Sequence, residues 1–91
     1  MPPQNFRVVF SEQFTKILFK LSKKDKLTIK KLETEVIKIS QNPLIGKPLR
    51  NVLKNYRRVH IDPFVLVYEI HGNEVRILDF DHHDRMYKKK F

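Results

Sequence analysis

Tyr56-Arg57-Arg58-Val59-His60-Ile61-Asp62-Pro63-Phe64-Val65-Leu66-Val67-Tyr68-Glu69-Ile70 is the stretch on which the fold turns. Its first six residues alternate, placing Tyr56, Arg58 and His60 on one face of a strand and Arg57, Val59 and Ile61 on the other. Asp62-Pro63 is a turn pair. Phe64 to Ile70 then runs almost unbroken through apolar residues, as a strand covered on both faces or nearly so would. His71-Gly72-Asn73-Glu74 closes a hairpin, and Val75 to Phe80 reads as a further strand. If that strand continues, Asp79, Asp81 and His83 share one of its faces.

Upstream the period changes. Asn5 to Phe10 alternates as a short strand, with Phe6, Val8 and Phe10 on one side. Ser11 is placed to cap a helix, and Glu12 puts a carboxylate in its first turn. Phe14, Ile17, Leu18 and Leu21 form the apolar stripe of that helix. Ser22-Lys23-Lys24-Asp25 has capping-box spacing and predicts a second helix starting there, with Ile29, Leu32, Val36 and Ile39 as its buried stripe. Asn42-Pro43 stops it, and Pro43 to Leu49, with two prolines and a glycine, reads as a loop. The expected architecture is α+β, in the order β-α-α-β-β-β, with a helical hairpin packed on one face of a small, mainly antiparallel sheet. Residues 1–91 are expected to form a single domain.

Composition narrows the function. Nineteen Lys and Arg against ten Asp and Glu leave a net charge of +9, which suits a binder of nucleic acid or of an acidic protein. Val36 to Ile61 contains no acid but holds Lys38, Lys47, Arg50, Lys54, Arg57 and Arg58, whereas Asp62 to Asp84 has Arg76 as its one Lys or Arg against six acids. Zero cysteines exclude disulfides and thiol chemistry and fit a reducing cytoplasm. Neither a membrane span nor a secretion signal is expected.

Without cysteine or a glycine-rich phosphate loop, and with Ser11, Ser22 and Ser40 in or at the ends of helices, acid–base chemistry on histidine is what remains. Strand parity sends His82 and His83 to opposite faces, so neither a metal nor a cofactor is expected. RNA can be cut through its own 2′-hydroxyl by one base, one acid and cations around the phosphate. Histidine titrates near the working pH, Arg and Lys supply charge, and an aromatic can stack a splayed base.

Gly46-Lys47-Pro48-Leu49, Tyr56 to Pro63, Val67-Tyr68-Glu69-Ile70 and Phe80 to Tyr87, in that order, resemble the RelE/ParE superfamily of toxins of toxin–antitoxin systems, over essentially the whole chain. Arg57 with His60-Ile61-Asp62-Pro63 looks closest to its YafQ-like, RelE-like branch of mRNA interferases. The resemblance implies a ribosome-dependent, metal-independent mRNA endoribonuclease that inhibits translation and is held inactive by a cognate acidic antitoxin, for example in a toxin–antitoxin heterotetramer. His60 and His83 match the branch's catalytic histidines, and Tyr87 its terminal aromatic. Arg58 joins them as the site cation, and Lys47, Arg50, Lys54, Arg57 and Arg85 are expected to bind RNA. Asp79, Asp81 and Asp84 around His83 suit an acid, while Arg57 and Arg58 around His60 suit a base.

The chain departs from the branch patterns at four places. Phe64 stands where YafQ-like members carry an acid, and Lys47 and its neighbours where they carry a loop histidine. Val65 and His83 each replace an arginine of the RelE branch. Two alternatives stay open on the sequence: a ParE-like toxin that binds gyrase, which needs no catalytic histidine, and a degenerate scaffold that binds antitoxin but cuts nothing.

Overall fold

The computed structural model describes residues 6–49 and 55–89. The chain runs β1 (Arg7–Phe10), α1 (Glu12–Lys24), α2 (Lys26–Gln41), a 3₁₀ turn (Pro43–Ile45), β2 (Lys47–Pro48), β3 (Tyr56–Ile61), β4 (Phe64–His71), β5 (Glu74–His82) and α3 (His83–Met86). The five strands form one sheet in the order β1-β5-β4-β3-β2. Only β1 and β5 pair in parallel, since the intervening helices carry the chain across one face before it returns. The fold is thus the α+β arrangement expected, with α1 and α2 on one side of a mostly antiparallel sheet.

Ser11 caps α1 by accepting the Phe14 N–H (3.0 Å), and its hydroxyl donates to the Leu78 carbonyl (2.7 Å), tying the helix start to β5. The second helix does not begin at Ser22. That residue lies inside α1, its hydroxyl donating to the Phe19 carbonyl at 2.8 Å. Asp25 makes the break: its N–H closes α1 on the Leu21 carbonyl, and its carboxylate caps α2 by accepting both the N–H (3.0 Å) and hydroxyl (2.6 Å) of Thr28. Those bonds hold the Asp25 carboxyl below the usual carboxylate range. Capping-box spacing was present at Ser22, but the residue that leaves helical geometry, at φ −145°, is Asp25.

Phe14, Leu32 and Ile39 of the helices are fully buried against Leu66, Tyr68, Val75, Ile77 and Phe80 of the sheet. Ile29 departs from its stripe: it lines an open apolar groove with Phe10, Leu18 and Val36. The opposite face of β4 carries a smaller cluster, Val65 and Val67 under Met86, with Leu49 and Leu78 at its margin. Cover on both faces is why the β4 sequence is continuously apolar.

The segment read as a loop before β3 is more ordered than its prolines and glycine suggest. Lys47 and Pro48 form a two-residue edge strand opposite Arg58 and Arg57, a position where proline costs no interior ladder bond. The hydroxyl of buried Tyr68 donates to the Pro43 carbonyl (2.5 Å) and accepts the Gly46 N–H (3.0 Å). A Cβ at Gly46 would lie 2.6 Å from that hydroxyl and 2.9 Å from the Arg58 carbonyl, so only glycine fits. β5 runs on to His82 and carries an extra residue, Leu78, in its pairing with β4, where Val67 faces Asp79 and Tyr68 faces Ile77.

Candidate functional site

Val59 and Ile61 of β3 pack into the helix-side core, so strand alternation turns Arg58 and His60 to the opposite face. There they meet Tyr87, which directly follows α3. The Tyr87 hydroxyl is 3.2 Å from His60 Nε2, and the Arg58 guanidinium lies over the Tyr87 ring at 5.4 Å. The His83 ring is 6.4 Å from the same ring, centroid to centroid. Tyr87 is therefore the hub at which Arg58, His60 and His83 converge, and it is 56% exposed. Lys47, opposite Arg58 in the ladder, extends the site into a cleft of about 650 Å³ lined by Lys47, Pro48, Leu49 and Arg58. Arg58 Nε is buried and has no hydrogen-bond partner among the described residues.

Of the remaining cations expected to bind RNA, the two that are described, Arg57 and Arg85, are engaged elsewhere. Arg57 lies on the helix-side face and donates to the Gly46 carbonyl (2.6 Å) and the Leu44 carbonyl (3.4 Å), which ties down the 43–46 turn. Arg85 is bonded to Asp81 at 2.9 Å. Arg50 and Lys54 lie outside the described residues.

The electrostatic surroundings also differ from the sequence expectation. Of the three aspartates near His83, Asp84 is the one whose carboxylate meets its ring, 2.9 Å from Nδ1. Asp79 and Asp81 are engaged by Lys89, at 2.6 and 3.1 Å. Burial opposes ionisation of Asp81, but hydrogen bonds from Arg85, Lys89 and the His82 N–H outweigh it and hold its carboxyl below the usual range. Burial likewise disfavours the charged Lys89 amine, and the two carboxylates outweigh that and raise it.

Strand parity fails at the end of β5. The strand stops at His82, whose Nδ1 accepts the Asp84 N–H (3.2 Å), and His83 begins α3. Their rings therefore stack at 4.5 Å rather than pointing apart. His82, His83 and Asp84 bring ligand atoms within 4.8 Å of one another, so these three could hold a metal ion. Val65, which stands for a RelE-branch arginine, is fully buried beneath Met86 instead of reaching the site, and Phe64 packs on Phe80 with ring centroids 4.9 Å apart.

A helical hairpin thus covers one side of the sheet, and Tyr87 gathers two histidines and an arginine on the other. Residues 8–87 match the family model described as ParE toxin of type II toxin–antitoxin system, parDE. The chain is 43% identical over 88 residues to a Methanocaldococcus jannaschii protein carrying the toxin name RelE4, covering 93% of this chain and 94% of that one. It is similar in structure to the YoeB dimer from Staphylococcus aureus, with TM-score 0.75 and 25% identity over 87% of this chain and 98% of that chain. The RelBE2 toxin–antitoxin complex from Mycobacterium tuberculosis aligns with TM-score 0.70 and 28% identity, over 86% of this chain and 98% of that one. The chain belongs to the RelE/ParE superfamily and is a type II toxin–antitoxin toxin.

Proposed function

We propose that this toxin is a ribosome-dependent mRNA endoribonuclease, acting in the cytoplasm and restrained by an acidic antitoxin. The observation that carries the reading is the convergence of His60, Arg58 and His83 on Tyr87, beside the Lys47 cleft. In-line cleavage through the 2′-hydroxyl needs a base and an acid on opposite sides of one phosphate, with cations along it. His60, hydrogen-bonded to Tyr87, serves as the base. His83 serves as the acid, its Nδ1 turned to Asp84 so that Nε2 is the nitrogen left for the leaving oxygen. Arg58 and Lys47, which line the cleft, take the phosphate, while the exposed Tyr87 ring stacks a base. The chemistry requires no metal. The charge of +9 suits an acidic antitoxin, and the RelBE2 relative was solved as a toxin–antitoxin complex, which supports a toxin–antitoxin assembly here.

The family model's parDE description favours one second reading, a ParE-like toxin acting on gyrase. The test is purified toxin in a translation reaction, read for cleaved mRNA and, in parallel, for gyrase inhibition on plasmid. Cleavage by the parent that falls about 10²–10⁴-fold in both His60→Ala and His83→Ala supports the nuclease. In the pH–rate profile the acid limb should vanish with His60 and the alkaline limb with His83. Gyrase inhibition without cleavage establishes the second reading. Antitoxin binding without either activity leaves a scaffold.

A further inference from the structure

Beyond the site, Asp79, Asp81 and Lys89 form a polar clamp that neither the histidine chemistry nor the apolar core uses. Asp79 is 6% exposed, the one buried charged residue among the described residues. Its Oδ1 accepts the Phe80 N–H at 2.8 Å, and its Oδ2 accepts the Lys89 ammonium at 2.6 Å. The same ammonium reaches Asp81 Oδ2 at 3.1 Å. A carboxylate this buried is tolerated because a cation and a backbone donor meet it, so removing Lys89 would leave a charge stranded in the sheet. Lys89 cannot satisfy Asp79 unless the chain just before it lies against β5, and that chain carries Tyr87.

Apart from the clamp, the segment is held to the sheet at a few points, the first being the His83 N–H on the Pro63 carbonyl at 3.0 Å. α3 has four residues, too few to be stable alone. Met86 plugs it onto Val65 and Val67, and exposed Arg85 reaches Asp81. After Met86 the chain makes a turn in which the N–H groups of Tyr87, Lys88 and Lys89 bond to the carbonyls of His83, Arg85 and Met86. Tyr87 itself is more than half exposed and belongs to neither apolar cluster of the described residues. We propose that Lys89 is a positioning residue: by bridging Asp79 and Asp81 it holds the 83–89 segment in the one placement that brings Tyr87 and His83 to His60 and Arg58 on β3. This role in cleavage rests on the nuclease reading above, whereas the placement of the segment does not.

The experiment compares Lys89→Met, Asp79→Asn, their double variant and Lys89→Arg. Two readouts are taken: kcat and KM for mRNA cleavage on programmed ribosomes, and hydrogen exchange of backbone amides by NMR. Lys89→Met and Asp79→Asn should each lower kcat about tenfold or more with little change in KM. The double variant should be no worse than the poorer single one, because both remove one interaction. Lys89→Arg should recover most of the rate. The Tyr87 and Lys88 amides should lose protection in Lys89→Met while those of β4 keep theirs. Parental kcat in Lys89→Met overturns the proposal, whether or not protection falls. So does a loss of rate that follows the loss of folded protein and is not rescued by arginine, which marks a purely structural role. If the parent cuts no mRNA, the nuclease reading fails by itself. Positioning is then judged by Tyr87 protection and by the proton contact between the Tyr87 and His60 rings: loss of both in Lys89→Met supports it, retention overturns it.

Discussion

On the helix side of the sheet, Phe14, Leu32 and Ile39 press on Leu66, Val75 and Ile77, and all six are almost wholly removed from water. On the other side, three buried side chains, Val65, Val67 and Met86, make a small apolar cluster, and Arg58, His60, Tyr87, Asp79 and Lys89 surround it with polar contacts. The first face can hold the fold; the second can hold a geometry but adds little burial. On the nuclease reading, the cationic cleft must stay wet to receive RNA and cannot also be covered with core. The sheet separates the two demands, and β4, apolar on both faces, is shared between them.

If the division is real, damage to the helix face should cost stability and leave chemistry intact. Leu32→Ala removes a side chain that is 1% exposed at the centre of the large core, and should destabilise by about 2–5 kcal/mol. Urea unfolding would measure it, and the folded fraction should cleave at the parental rate. A slower folded fraction would mean that the two faces are coupled through β4.

Tyr68→Phe sharpens the comparison, because Tyr68 belongs to the helix-side core yet secures part of the site. Its hydroxyl holds the Pro43 carbonyl and the Gly46 N–H, fixing the turn that delivers Lys47 to Arg58. Burial pushes the phenol above its usual range, against the opposing pull of the Gly46 N–H and Arg57. Losing the hydroxyl strands two backbone groups, for an expected loss of about 1–3 kcal/mol. RNA affinity should also fall, with the salt dependence shallower by roughly one unit if the Lys47 contact is lost. Unchanged RNA binding would detach the turn from the site.

How much of this was legible in sequence follows the same division. Phe14 and Leu32 announced themselves by periodicity, and Arg58 and His60 by strand parity, because these signals are local. The gathering of His83 and Tyr87 onto β3 rested on family resemblance alone, since no local pattern links residue 60 to residue 87. The failures were local competitions and long-range pairings. Asp25 out-competed Ser22 because a cap is decided by which residue leaves helical geometry. His82 and His83 stack because the strand ends between them. Asp79 and Asp81 looked like charges available to the histidines, but Lys89 and Arg85 engage them. Asp79 and Asp81 alternating with the buried Phe80 in β5 were the available signal of a buried clamp.

The smallest effect expected is a pH dependence confined to the site face. The Asp81 carboxyl sits lower in the folded chain than in the unfolded one, so its contribution is present above the unfolded value, about 4, and is lost as pH falls through the folded value. Lys89 is raised, so its contribution is present below the unfolded value, about 10.4, and is lost only as pH climbs past the folded one. Both are complete at neutrality. Asp81→Asn should therefore lower stability by a constant amount between about pH 5 and 9, and the gap from the parent should close below about pH 4. Because Arg85 is largely exposed and Lys89 partly so, the gap should be no more than about 1 kcal/mol, well short of the Leu32→Ala loss. Urea midpoints across that range measure it. A gap as large as that of Leu32→Ala would show that the polar face supports the fold as strongly as the apolar one, and the division of labour between the faces would have to be abandoned.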